Sequence, residues 1–368
     1  MPSRFFLSLL AFLLLISFEE LYAQSTYSVN GSVIDSNNEP VAAAQVFLSG
    51  TTIGTTTDEN GIFQLNNIPE GIFELIVSFL SFETASYTIN TNSLESRYNF
   101  ILNPKVYELD EVTVRPDPEE WKANFKQFRK IFIGAGPYSD DTKIKNPEVL
   151  NFFFEPEQSI LTATASDRLI IENKGLGYII YYYLDYFVID YRQNASFFFG
   201  RPLFELMTSS RKRINNRWDN NREKAYRGSF LHFTKSLING TEIEDSFVIR
   251  GEKRENRSRF VSKDTVSSDR FFTPYDSTTY MFSFMNFVNV TFEAEKEDRS
   301  YLYYTKSPFA DKPKNKAQFQ NSSFTITQDT VLVDKSGYIY DPVAIIFDGY
   351  WGFEKVSDML PLDYLPEK

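Results

Sequence analysis

The most regular pattern in the chain is FELIVSF (73–79), where Phe73, Leu75, Val77 and Phe79 alternate with Glu74, Ile76 and Ser78. A period of two places the first set on one face of a strand and the second on the other. Shorter runs of the same kind surround it. Val29, Gly31 and Val33 share a face, as do Val46 and Leu48, Phe63 and Leu65, and then Tyr98, Phe100 and Leu102. LDEVTV (109–114) adds a last strand. Roughly six to eight short strands within about 85 residues, with turn signals between them and no helical period, predict a β-sandwich.

The pattern changes after Pro118. In EEWKANFKQFRKIFIG, Trp121, Phe125, Phe128 and Phe132 recur at three- and four-residue spacing, which predicts a helix ended by Gly134. ILTATAS (160–166), RLIIEN (168–173) and GYIIYYYLDYFVIDY (177–191) read as strands. The last is long enough to fold back as a hairpin near Leu184-Asp185, and with aromatics on both faces it reads as buried on both. RWDNNREKAYRGSFLHFTKSLING (217–240) reads as a second helix, ended by Asn239-Gly240. Further strands follow in TQDTVLVDKSGYIYD and AIIFDGYWGFEK. This half is expected to be α+β, with antiparallel strands and two main helices.

Residues 1–23 read as a secretory signal: Arg4, then the 14-residue apolar core FFLSLLAFLLLISF (5–18), then Tyr22-Ala23 before Gln24. The run is shorter than the roughly 18 residues of a spanning helix. Leu21 stands where a small residue usually precedes the cut, and no Cys follows to carry a lipid anchor. The mature chain is expected in the periplasm or at the cell surface, outer-membrane associated through a partner. Residues 24–116 hold 11 Asp/Glu against 3 Lys/Arg, while the whole chain carries −11. Most of the net charge therefore lies in the first part. With Pro104, Pro116 and Pro118 as punctuation, the plan is a sandwich at 24–103, a linker at 104–118 and an α+β region at 119–368.

Composition removes much chemistry. There are 36 Phe and 22 Tyr, but no Cys and one His, His232. Structural and catalytic zinc sites need sets of Cys and His, and Cys nucleophiles and disulfides are absent. A Ser-His-acid triad could use only His232. No catalytic, cofactor-binding or metal-ligating residue is nominated, and no cofactor is expected.

TTTDENGIFQLNNIPEG (55–71) tests that last statement. With Gly61 at the sixth position of an EF-hand loop, the first and twelfth positions are Thr56 and Asn67, neither a carboxylate. A looser calcium loop on Asp58, Glu59 and Asn60 stays open beside the simpler reading, a hairpin closed by Asn60-Gly61. The surrounding residues resemble the carboxypeptidase regulatory-like domain. The resemblance rests on Gly31–Val33, Pro40-Val41 through Val46, Thr57–Phe63 and Gly71–Ser78, with Ser81-Phe82 where the family usually has Gly-Tyr. It implies a seven-stranded Greek-key, transthyretin-like sandwich that is an accessory, without catalytic residues. LDEVTV also resembles the segment that follows this domain in TonB-dependent receptors. The 252 residues after Pro116 are fewer than a plug and a barrel of up to about 22 strands require. KNPEVLNF, LTATASDRLIIENKGLGYIIYYYLDYF, NREKAYRGSFLHFTKSL and GYWGFEKVSDMLPLDY resemble an uncharacterised module of exported bacterial proteins, which transfers no activity.

Remaining motifs are weaker. One His cannot build the two-His, one-Glu zinc site of a carboxypeptidase. Ser209-x-x-Lys212 and Lys335-Ser336-Gly337 match serine β-lactamase motifs, but no Ser-x-Asn or Tyr-x-Asn lies between them. Ser229 and His232 share a helix face without a Gly-x-Ser-x-Gly elbow, and Phe230, Leu231 and Phe233 favour a packed His. RKRINNRWDNNREKAYR (211–227) holds seven Lys/Arg; export argues against nucleic acid, and the favoured role is a dock for the acidic first domain. The expectation is an exported, non-enzymatic envelope protein that binds an envelope protein or a glycan. The alternative is a zinc-independent hydrolase of glycan or peptide with its site in 119–368.

Overall fold

The alternation in residues 27–102 folds as seven strands in two facing sheets, in a computed structural model that describes residues 26–105, 117–256, 258–313 and 316–366. In one sheet β1 (Tyr27–Asp35) lies between β4 (Ile62–Ile68) and β7 (Tyr98–Leu102), antiparallel to β4 and parallel to β7. The other runs β3 (Gly54–Thr56), β2 (Gln45–Leu48), β5 (Ile72–Ser78), β6 (Ala85–Asn90). Val33, Val46, Phe63, Leu65, Phe73, Leu75 and Val77 fill the space between them. The expected strand at LDEVTV lies outside the described residues.

Asp117 opens α1 (Pro118–Phe132) by accepting the Glu119 N–H, with Pro118 in the first turn. The aromatic stripe of α1 packs on a six-stranded sheet built from β8 (Thr142–Ile144), β9 (Leu150–Glu155), β10 (Ile160–Ala165), β11 (Leu169–Asn173), β12 (Tyr178–Asp190) and β13 (Ala195–Leu206). Phe128 meets Phe187 at 4.6 Å and Phe132 meets Tyr182 at 4.9 Å between ring centroids. The hairpin expected at Leu184-Asp185 does not form. β12 is one strand of 13 residues, and its register against β13 shifts between Leu184 and Tyr186. That bulge switches the buried face from Tyr178, Ile180 and Tyr182 to Phe187 and Ile189.

The helix expected over 217–240 is two helices, α2 (Lys212–Tyr226) and α3 (Phe230–Asn239). The chain breaks because Arg227 is extended, Gly228 sits at φ +79 and Ser229 caps α3 by accepting the His232 N–H. A Cβ on Gly228 would lie 2.5 Å from Gln320 Oε1 and 2.6 Å from Phe292 Cδ1, so the position takes glycine for space as well as for φ. Trp351 Nε1 donates to the Gly228 carbonyl at 2.7 Å and seals the break.

Two more antiparallel sheets complete the chain. One runs β15 (Ser258–Thr265), β14 (Phe247–Glu255), β18 (Phe287–Lys296), β19 (Phe319–Ile326), β21 (Ile345–Gly349). The other runs β16 (Phe272–Pro274), β17 (Thr279–Phe282), β20 (Val331–Asp334). Phe233, Phe247, Phe282, Phe324 and Trp351 make their shared core. Two short helices, α4 (Arg299–Tyr304) and α5 (Tyr350–Phe353), flank it. The protein is mainly β with antiparallel sheets, and among the described residues no helix is long and apolar enough to cross a membrane.

The sandwich is fastened to the six-stranded sheet by the outer face of β2 and β5. Phe47 and Ile76, both fully buried, pack on Leu203, Tyr181 and Tyr183, and the Phe47 and Tyr183 rings stack at 5.1 Å. Backbone bonds run alongside: Gly50 N–H to Pro202 O at 2.7 Å, Phe204 N–H to Thr51 O at 2.9 Å and Leu362 N–H to Gly50 O at 2.8 Å. Arg201 bridges Glu74 of the sandwich (2.9 Å) and Asp185, the bulge residue of β12 (2.5 Å). The basic run 211–227 is therefore not where these contacts lie. Its Arg217, Trp218, Asn221 and Arg222 donate to the carbonyls of Lys174, Gly175 and Leu176, which need partners where the chain turns between β11 and β12.

Candidate functional site

The residues singled out by sequence are occupied by local structure. Asp58 accepts the Asn60 N–H at 2.9 Å and the Ile62 N–H at 2.8 Å, the bonds of an Asx turn with Gly61 at φ +71. Among the described residues no group of three or more His, Asp or Glu is placed to hold a metal ion. Ser209 accepts the Arg211 N–H ahead of α2, whereas Ser336 donates to Asp334 and Lys335 faces Glu70 of the sandwich at 3.7 Å. The two halves of the β-lactamase-like motif thus serve different turns. His232 accepts the Gly228 N–H on Nδ1 at 3.1 Å, and its ring packs on Tyr226, Phe247 and Phe292. Burial lowers its pKa, against an opposing pull from Asp245, so it is a neutral core residue that braces the α2–α3 break.

The structure instead gathers titratable groups around GYWGFEKVSDMLPLDY (349–364). After α5, Glu354 to Asp358 cross from the core around Phe324 and Trp351 to the core beneath α1, where Val356 packs. Ser357 holds the crossing: its N–H bonds Ile133 O and its carbonyl accepts Asn173 Nδ2 at 2.9 Å. Asp358 Oδ2 accepts from Ser357 Oγ at 2.8 Å and from Lys355 N at 3.4 Å. The carboxylate is pressed on Gly136, where a Cβ would lie 2.4 Å from it. Burial raises the Asp358 pKa to about 6, only partly offset by the Ser357 and Lys355 hydrogen bonds. Burial also raises Glu354 well above the carboxylate range, with Asp358 adding repulsion.

These carboxyls face a cavity of about 600 Å³. Tyr138, Asn221, Asp298, Gln320 and Tyr350 complete its inner wall. Burial raises both phenols above their usual pKa, and the same four acids, Glu295, Asp298, Glu354 and Asp358, add to each shift. The nearby cations are engaged or outlying. Arg227 pairs with Glu295 at 3.0 Å, Lys296 Nζ lies 3.3 Å from the Phe319 ring centroid, and Lys224 is exposed.

On the other side of Glu354 and Asp358 lies a groove of about 660 Å³. Its walls are mostly apolar, with Phe197, Phe198, Ile345, Phe347, Trp351 and Met359 beside the charged Asp190, Glu354, Lys355 and Asp358. Val343 and Ile346 stand at its rim, half exposed. A third space of about 1020 Å³ opens between the sandwich and α3. There burial lowers the Lys235 pKa to about 8, and its ammonium donates to the carbonyls of Leu362 and Tyr364.

Glu354 and Asp358 are not among the candidate residues that the sequence nominates. The available signal was Glu354-x-x-x-Asp358 set among aromatics, where carboxylates are expected to be buried at a cost.

Residues 29–114 match the family model described as CarboxypepD_reg-like domain. The TonB-dependent receptor SusC of Bacteroides thetaiotaomicron is 37% identical over 87 residues, which cover 24% of this chain and 8% of the receptor. The chain thus spans less than a tenth of the length of that curated relative. Among solved structures, catechol 1,2-dioxygenase from Acinetobacter sp. ADP1 aligns at 12% identity over 24% of this chain and 55% of its own, with a TM-score of 0.20. BcpA, the major pilin subunit of Bacillus cereus, aligns at 17% identity over 22% and 31%, with a TM-score of 0.19. Scores this low leave the fold class resting on the strands and sheets themselves.

Proposed function

We propose that the protein is an exported, non-enzymatic component of the cell envelope that binds a partner through the groove of its second half. The CarboxypepD_reg-like sandwich serves as a docked accessory in this reading, and the region after residue 118 acts as one binding unit. The observation that carries the proposal is the groove itself: about 660 Å³ lined by aromatic and aliphatic side chains, with half-exposed Val343 and Ile346 at its rim. An apolar recess of that size suits association better than bond chemistry. The match of residues 29–114 to the CarboxypepD_reg-like domain, and the likeness of that stretch to a TonB-dependent receptor, support an envelope setting.

The test is affinity capture from the native envelope with the full-length chain, beside an Ile346→Glu variant. The expected result is a near-stoichiometric partner that the variant loses at least tenfold. An unchanged yield from Ile346→Glu would remove the groove from the reading, and no partner at all would remove the reading.

One observation favours a hydrolase as the second reading. Glu354 and Asp358 are neighbouring carboxyls with raised pKa values in one cavity, the condition for an acid and a base near neutral pH. Glycan or peptide hydrolysis that disappears in Glu354→Gln would replace the first reading with this one.

A further inference from the structure

β13 lies at an edge of the six-stranded sheet, paired along its length with β12 and with no other strand. The sandwich has already taken half of that edge. Thr51 forms a parallel bridge with Leu203, the Pro202 carbonyl accepts the Gly50 N–H, and the Phe204 N–H donates to the Thr51 carbonyl. In an antiparallel pair the backbone groups of every second residue turn away from the partner strand. The alternation that turns Pro202 and Phe204 toward the sandwich therefore turns Phe198 and Ser196 out of the same edge. The bulge does not disturb this, because the extra residue lies in β12 while β13 runs on from Gly200 to Phe199 without a skip. Outside the β12 ladder, no N–H or C=O of Ser196 or Phe198 has a hydrogen-bond partner among the described residues.

Ala195 to Phe198 line the groove. The edge that holds the sandwich at one end thus continues into the groove at the other. This free stretch is also unguarded. Ala195–Phe199 carries no charge and no Pro, whereas the edge strand β15 carries Arg259, Lys263 and Asp264. Charges and Pro are the usual means of keeping an edge from pairing.

An occupant of the groove has two demands to meet. The walls select apolar side chains, and the edge groups, once covered, need donors and acceptors in place of water. A helix spends its backbone groups on itself, and an acyl chain has none. An extended peptide meets both demands. We propose that the groove receives an extended apolar segment of a partner protein, which adds as a strand to the free half of β13. Its alternate side chains then lie among Phe198, Ile345, Phe347 and Trp351. At about 3.4 Å per residue the free stretch pairs roughly five residues of such a segment. The proposal rests on the reading of the groove as the binding surface and states the form in which the partner enters it.

Calorimetric titration of the full-length protein tests this with four probes. They are a hexapeptide of alternating valine and threonine flanked by lysines, the same peptide N-methylated at its valines, the same peptide N-methylated at its threonines, and decanoic acid. A strand added at one edge uses the N–H groups of every second residue only. One methylated analogue should therefore lose at least tenfold in affinity, and the other should bind as the parent does. Ser196→Pro removes an N–H that takes no part in the β12 ladder, a substitution that edge strands tolerate. It should weaken the parent peptide at least tenfold. Equal affinity for the three peptides, equal loss in both analogues, no peptide binding, or decanoic acid as the tightest ligand overturns the proposal. These readings come from the wild-type protein and do not depend on how Ser196→Pro folds. If an envelope partner is still captured and still lost in Ile346→Glu, strand addition alone has failed. If no partner is captured either, the binding reading has failed with it.

Discussion

Asp358 is a carboxylate that the fold holds against its own ionisation, so replacing it with a neutral isostere should stabilise the protein. The perturbation is Asp358→Asn. Its amide oxygen can still accept from Ser357 Oγ and Lys355 N, the two bonds that Asp358 makes in the turn. The pKa stands at about 6 in the folded chain against 3.8 for a free side chain. A gap of about two units corresponds to roughly 3 kcal/mol. The sign follows from where the proton is held. Below pH 4 the group is protonated in both states and the fold suffers no penalty. Between pH 4 and 6 the unfolded chain releases its proton while the folded chain keeps it, so stability falls as pH rises. Above pH 6 the penalty is complete. Asp358→Asn should therefore match the wild type near pH 4 and exceed it by about 2–3 kcal/mol at pH 8. Urea unfolding followed by tryptophan fluorescence at the two pH values measures this directly. A variant less stable than wild type at pH 8, or a difference equal at both pH values, would falsify the assignment of Asp358 as a destabilised site carboxylate. The outcome bears on function too, because a residue kept at a cost to stability is what a binding cavity retains.

Two predictions concern the attachment of the sandwich. Phe47→Ala removes a fully buried ring that stacks on Tyr183 and should cost about 3 kcal/mol, read as faster limited proteolysis between residues 103 and 118. Cleavage no faster than in the wild type would mean that the stacked face does not secure the sandwich. Arg201→Met leaves Glu74 and Asp185 without their shared cation, at a cost of about 3 kcal/mol near pH 7. Burial already raises the Asp185 pKa, so this loss should shrink as pH falls and Asp185 takes up its proton. A loss that stays constant with pH would show that the charges do not carry the effect.

The sandwich was legible because most of its strands repeat their own instruction, β3 and β6 being the exceptions. Phe73, Leu75 and Val77 return every second residue, but the hairpin expected at Asn60-Gly61 is instead a turn that carries the chain from β3 in one sheet to β4 in the other. The same alternation put Ile76 with Glu74 and Ser78 on an outward face, and the structure buries Ile76 completely. Nothing local to β5 distinguishes a solvent face from a face awaiting Leu203 and Tyr183. A bulge likewise leaves no mark on composition, so the phase switch in β12 and the ion bridge from Asp185 were invisible. The break between α2 and α3 was half visible. Gly228-Ser229 is a stop followed by a cap, but the reason glycine is needed lies in Gln320 and Phe292, far along the chain.

By itself the sequence determined the mainly β class, the sandwich, and the absence of Cys and of any second His. Short-range spacing and composition decide those properties. The tertiary structure alone decided the dock, the groove and the acidic cavity. Tyr138, Asp298, Gln320, Glu354 and Asp358 come from segments with no common period, and they meet only because Ser357 is tied to Ile133 and Asn173. The physical reason is range. Alternation and turn chemistry act over a few residues, whereas burial of a carboxyl depends on which distant elements close around it.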